Sequence, residues 1–287
     1  MRKQYLFAAI AIVLWATTAA VSKLLLGSLS SMQVLAASCA YASVFLLIIC
    51  AVRGKLKLLK ACKIKDYLIM SGVGMLGVFV YNLLLFMGIA CIQASQAMII
   101  NYLWPMMAVL AACVLLKERL TLRKSIAVLM SFGGVVIVIA GGQGLSIGGD
   151  LRGVVYCVLA AVSYGLFVVL NKRLPYDKFV SMLVYHVVGF AVSFAFVMLS
   201  GEGLALDLSQ HLGMLWIGVF TYAIAYVAWA LAMDGGATAK IANLAYITPF
   251  LSLVWNNLLL KEPVSIRCVI GLVVIVAGIF VQLKDNK

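Results

Sequence analysis

Charge is scarce in this sequence. Only 11% of its 287 residues are Asp, Glu, Lys or Arg, where a water-soluble domain carries about a quarter. Such a chain cannot clothe a soluble surface. Asp and Glu together number 9, and none lies near the middle of an apolar run. That argues against a mid-membrane carboxylate for bulky cations or for proton coupling. The two histidines, His186 and His211, lack metal-ligand spacing; His186, in mid-span, reads as a packing or polar-pair residue. No G-x-x-x-x-G-K-[ST] occurs, which argues against nucleotide-driven pumping. No C-x-x-C and no N-x-[ST] occurs, and the seven cysteines are scattered, most inside apolar runs, as small packing hydrophobes. GVGMLG at 72–77 fits a dinucleotide pattern but sits in an apolar run instead of a strand–turn–helix, so it reads as close helix packing.

What fills the sequence is hydrophobic residues, 66% of the total. Runs of about 20 apolar residues recur from end to end, each able to cross about 30 Å of hydrocarbon. They predict ten transmembrane helices near 4–25, 32–52, 66–89, 94–116, 122–141, 151–171, 178–199, 210–233, 238–260 and 266–284. The first run could pass for a secretory signal, but it has a counterpart later in the chain and so reads as a span. The formal charge of +13 is no nucleic-acid signal, because the basic residues sit in the short gaps between runs. With both termini in the cytoplasm, 18 of the 22 Lys and Arg lie on that side, at 2–3, 53–65, 117–124, 172–178, 240 and 284–287. Lys23, Arg152, Lys261 and Arg267 lie on the other. This asymmetry fixes the predicted orientation in the cell membrane.

The chain also repeats itself. NYLWPMMAVLAACVLLKERLT (101–121) and AYITPFLSLVWNNLLLKEPVS (245–265) match at a shift of 144, which pairs Pro105 with Pro249, Lys117 with Lys261, Glu118 with Glu262 and Gly134 with Gly278. A shift of 149 pairs Trp15 with Tyr164 and Lys23 with Lys172. The glycine-rich GGQGLSIGGD (141–150) separates the halves, predicted as 1–145 and 146–287. Five spans is an odd number, so the second half must enter the membrane upside down. The expected fold is all-α: ten helices as two inverted five-helix repeats around a central cavity.

Proline in mid-helix has no N–H and clashes with the carbonyl four residues back, here those of Asn101 and Ala245. A carbonyl left unpaired in hydrocarbon costs several kcal/mol. Matched interruptions in the two halves therefore point to a central site, with Pro105 and Pro249 as hinge candidates. Asn101 and Trp104 share a face, and Tyr222, Tyr226 and Trp229 form a stripe at helical spacing. Asn82, Trp15, Tyr164, Asn243, Tyr102 and Tyr246 are further candidates. Each K-E pair, Lys117–Glu118 and Lys261–Glu262, is expected to cap the following helix or form a surface ion pair. Lys23 is expected to snorkel to the interface.

The two halves, the tract NYLWP, and LLKERLT and LLKEPVS after the fourth and ninth spans resemble the drug/metabolite transporter superfamily, in particular its EamA-type members. NYLWP is similar to the aromatic amino-acid exporter branch. The resemblance implies a ten-helix basket whose cavity is lined by the first, third, fourth, sixth, eighth and ninth spans, and efflux of amino acids or related metabolites. It places Trp15, Tyr81, Asn101, Tyr102 and Trp104 near that cavity, with Tyr164, Tyr222 and Tyr246 from the other half. AYITP lacks the Asn and Trp of NYLWP, so the cavity is expected to be lopsided. The superfamily also holds carriers for sugars, nucleotide-sugars and cationic drugs, so no single solute carries over. An exporter by alternating access, an uptake carrier for similar solutes and a small-solute channel all remain open. No enzyme activity, cofactor, metal or nucleic-acid partner is expected. The partners are a small solute and the bilayer, and the protein is a monomer or homodimer.

Overall fold

The structure, a computed structural model, describes residues 2–140, 150–233 and 244–283. The described residues form helices and no strand. Among the described residues, eight helices are long and apolar enough to cross a membrane: α1 Lys3–Leu26, α2 Ser31–Val52, α3 Ile64–Cys91, α4 Ala94–Leu115, α5 Leu122–Ala140, α6 Leu151–Lys172, α7 Lys178–Ser200 and α8 Leu208–Met233. Two shorter apolar helices follow, α9 Ala245–Leu260 and α10 Ile266–Val281. The predicted start of the ninth span, most of the glycine-rich linker, Lys240 and Asn243 lie outside the described residues. A short basic helix, Leu56–Ala61, sits between α2 and α3.

Helix starts carry their own signals. Ser30 opens α2 in a reciprocal capping box with Gln33, and Asp207 opens α8 in one with Gln210. Asp177 accepts from the backbone N–H of Phe179 and Val180 at the start of α7. Side chains facing away from the bundle are large and apolar, such as Val114, Leu129 and Leu199, which only a hydrocarbon surround favours.

Three pairs of equivalent helices of the two predicted halves pack antiparallel. A methyl group on Gly134 would stand 2.6 Å from the Gly271 carbonyl, and one on Gly278 would stand 2.9 Å from the Ala127 carbonyl. Only glycine allows α5 and α10 to approach so closely. In α2 and α7, Gln33 donates to the Gly203 carbonyl at one end, while Lys55 pairs with Asp177 at the other. In α4 and α9, Ser95 meets Asn256 and Tyr102 meets Ala245.

Candidate functional site

Besides a one-residue interruption of α1 at Thr17, four helices break their regularity, α3, α4 and α8 within their length and α9 at the start of its described part. In α4 the helix stops at Asn101 and restarts at Trp104 with Pro105 in its first turn. In α9 a 3-10 turn, Ala245–Ile247, precedes the helix that carries Pro249 in its first turn. The Ala245 carbonyl, the one Pro249 deprives of its N–H, accepts instead from the Tyr102 hydroxyl of α4 at 3.2 Å. The break in α4 thus satisfies the one in α9 across the bundle. In α3 and α8 the breaks are π-helical, Met75–Val80 and Trp216–Ile224, and the shift of 144 maps one inside the other. A π turn inserts a residue, re-aims the side chains after it and loosens carbonyls. Here side chains meet those carbonyls. Ser163 donates to Leu76 and Asn82 to Val78, both at 2.8 Å. Trp15 donates to Thr221 at 3.2 Å.

The four breaks surround a cavity of about 110 Å³. Nine predicted residues line it: Trp15, Tyr81, Asn82, Asn101, Tyr102, Trp104, Tyr164, Tyr222 and Tyr226. The rings of Tyr81 and Tyr164 are tilted by 35° with centroids 4.5 Å apart, and Trp104 meets Tyr164 edge-on at 5.2 Å. Asn101 donates to the Tyr81 hydroxyl at 3.1 Å, and Tyr222 donates to the Asn82 carbonyl oxygen at 2.8 Å. The Asn101 side-chain oxygen is buried with no partner. A buried acceptor left unpaired is costly, so this atom calls for a donor within the cavity. Among the described residues, no charged side chain lines the cavity.

The remaining predicted residues fall elsewhere. Trp229 packs on Trp15 at 5.4 Å but lines a second, wider cavity of about 340 Å³. Tyr246 turns away and meets Phe280 of α10 at 5.7 Å; Ala245 and Thr248 take the wall beside it. Pro105 and Pro249 are buried behind the wall. Thr18, Leu85, Met98 and Thr221 also line the cavity, and sequence reasoning missed them. Thr248 was findable, because it directly precedes Pro249. His186 keeps a packing role, bonded to the Met182 carbonyl at 2.8 Å and 5.4 Å from the Tyr222 ring.

The wider cavity reaches exposed Lys172 and Lys178 at what we term the basic end. Tyr164 and Tyr226 line both cavities, with their hydroxyls 3.4 Å apart, so one layer of tyrosine separates them. Toward the far end Ser95, Ser252 and Asn256 are almost fully buried. Two expectations need correction there. Lys23 does not snorkel but donates to the carbonyls of Ile89 at 2.6 Å and Ile92 at 2.8 Å. Orphan carbonyls at a helix end compete well with lipid headgroups for an ammonium. Glu262 does not cap the helix that follows it; it accepts from the N–H of Ala94 and Ser95 at the start of α4. Glu118 does form an ion pair, with Lys124 at 3.1 Å.

Comparison with known proteins fits this architecture. The profile of the EamA-like transporter family matches residues 2–140 and again 151–283. An uncharacterized transporter of Clostridium kluyveri is 24% identical over 296 aligned positions, covering 100% of this chain and 95% of its own. An uncharacterized transporter of Archaeoglobus fulgidus is 23% identical over 229 aligned positions, 79% of this chain and 81% of its own. One solved crystal structure shares the fold with a TM-score of 0.71 at 22% identity, covering 97% of this chain and 96% of that one.

Proposed function

Because the chain belongs to the EamA-like transporter family, a multi-pass membrane protein, we propose that it exports amino acids or related small metabolites by alternating access, as a secondary or facilitative carrier. In this reading ten spans form two inverted halves, 1–145 and 146–287, with both termini in the cytoplasm and the basic end facing it. The antiparallel packing of α5 on α10, α2 on α7 and α4 on α9 supports inversion, since equivalent helices of an inverted pair must run opposite ways. Pro105 and Pro249 act as hinges where the halves rock.

The observation that carries the reading is the uncharged cavity at the four breaks, separated from the basic end by two tyrosines and closed by buried side chains toward the far end. A site reachable from one side at a time suits a carrier better than a continuous pore. With no charged group among the described residues of the wall, the solute is neutral overall or zwitterionic. It donates a hydrogen bond to Asn101 and stacks on Tyr81, Tyr164 or Trp104. Lys172 and Lys178 gather carboxylate-bearing solutes at the entrance.

A thermal-shift screen tests the solute class. Neutral amino acids or close relatives raise the melting temperature, by an amount equivalent to about 2.7 kcal/mol at 100 times the dissociation constant, and Asn101→Ala loses the shift. A screen in which only organic cations or nucleosides stabilise the protein rejects the amino-acid class.

A further inference from the structure

We propose that Lys23 and Glu262 form a latch that holds the far end of the pathway shut, and that Glu118 and Lys172 are the same latch, undone, at the basic end. The proposal rests on the alternating-access reading above and adds the residues that hold one state.

Only Ile92 and Gln93 lie between α3 and α4. The corner therefore brings together one helix end with orphan carbonyls and another with orphan N–H groups. Each end receives the charge its dipole favours. Lys23 from α1 donates to the carbonyls of Ile89 and Ile92. Glu262, after α9, accepts from the N–H of Ala94 and Ser95 and from the Ser95 hydroxyl at 2.8 Å. The two charges also attract one another. Glu262 thereby fastens the end of α9 to the start of α4, a contact between the two family matches. Asn256 adds a bond to Ser95 beneath it, at 3.2 Å.

Backbone geometry builds the reach of Glu262. Lys261 ends its helix in the left-handed conformation, φ 58°, and the next residue turns back over the bundle. Among the described residues, only one other non-glycine residue has positive φ: Lys117, at 55°. It occupies the matching position 144 residues earlier and places Glu118 in the same way. There the device is unmade. The Glu118 side chain is half exposed and pairs with Lys124, while Lys172, the counterpart of Lys23, lines the wide cavity. One latch is closed at the closed end, and its twin is open at the open end.

The interior behind the closed latch has the character of a pathway squeezed dry. Thr248, Ser252 and Asn256 recur at four-residue spacing on one face of α9, and all are almost fully buried. The stripe runs from the cavity wall to the Ser95 contact. The Ser252 hydroxyl and the Asn256 side-chain oxygen have no partner, and opening this end would give them water.

The test needs no solute. Ser252→Cys is placed in a background with the seven native cysteines replaced, and an impermeant thiol reagent is applied to the outer face of intact cells. Glu262→Gln should speed labelling by about tenfold, as loss of charge-assisted bonds shifts the population toward the outward-open state. Lys23→Met should act in the same direction, and Glu118→Gln in the opposite one. If Glu262→Gln misfolds on gel filtration, Lys23→Met and Glu118→Gln decide the matter. Labelling that neither Lys23→Met nor Glu118→Gln changes, in folded protein, overturns the latch. Opposed changes in a protein that moves no solute would leave the latch standing and remove the carrier.

Discussion

At the break before Pro105, Asn101, Tyr102 and Trp104 all line the cavity. At the matching break before Pro249 only Ala245 and Thr248 do, and Tyr246 turns to Phe280. The backbone device is written twice and the recognition chemistry once. The proposed inversion requires both halves to bend, and each carries a proline. Nothing requires both to touch the solute in the same way, and α9 supplies the small side chains of Ala245 and Thr248 where α4 supplies an amide and an indole. On the proposed reading the cavity has one recognising wall and one moving wall.

The sharpest way to break this contrast is to exchange effects between the walls. Asn101→Ala should lower transport efficiency by about tenfold or more, since a buried polar contact is worth about 1–3 kcal/mol. Tyr246→Ala should lower it by no more than about twofold. Equal losses would mean that both walls recognise solute. The hinge prediction is smaller. Pro105→Ala and Pro249→Ala should leave folded protein whose flux falls by about three- to tenfold, with half-saturation changing alongside it. Normal flux in both variants would leave the prolines as packing features only.

Stability sharpens the comparison further. Tyr102→Phe removes the donor to the Ala245 carbonyl and should cost about 1–3 kcal/mol by denaturation in detergent, whereas Tyr246→Phe should cost almost nothing. The smallest effect belongs to the basic end. Burial raises the Asp177 pKa, but Lys55 and the N–H groups of Val180 and Phe179 outweigh it and hold the carboxyl below its usual range. A group depressed in this way stabilises the fold above its unfolded pKa of about 3.9, and that part is lost as pH falls through the folded value. Asp177→Ala should cost about 1 kcal/mol near neutral pH, chiefly as a lost helix cap, and should flatten the acid limb of the stability profile.

Much of the helical layout was legible in the sequence, because hydrocarbon imposes length and apolarity on each span. Most of the cavity was legible as well. Aromatic and amide side chains away from span ends have few reasons to be there, and Trp15, Asn101 and Tyr222 stood out on that ground. The π turns were not legible, because no residue type forces them. Tyr246 matched Tyr102 in register, yet its ring packs on Phe280 of α10 and is not in the cavity wall. Lys23 and Glu262 were misread for a related reason. Capping rules look a few residues along the chain, whereas these side chains cap helices 66 and 168 residues away.

The central claim is that one enclosed site, exposed to one side at a time, carries the solute. Counterflow in proteoliposomes tests it most directly. A labelled neutral amino acid or close relative, added outside vesicles preloaded with the unlabelled solute, should accumulate transiently above equilibrium and saturate with concentration. Uptake that stays linear in concentration, accompanied by unitary current steps across a planar bilayer, would contradict it.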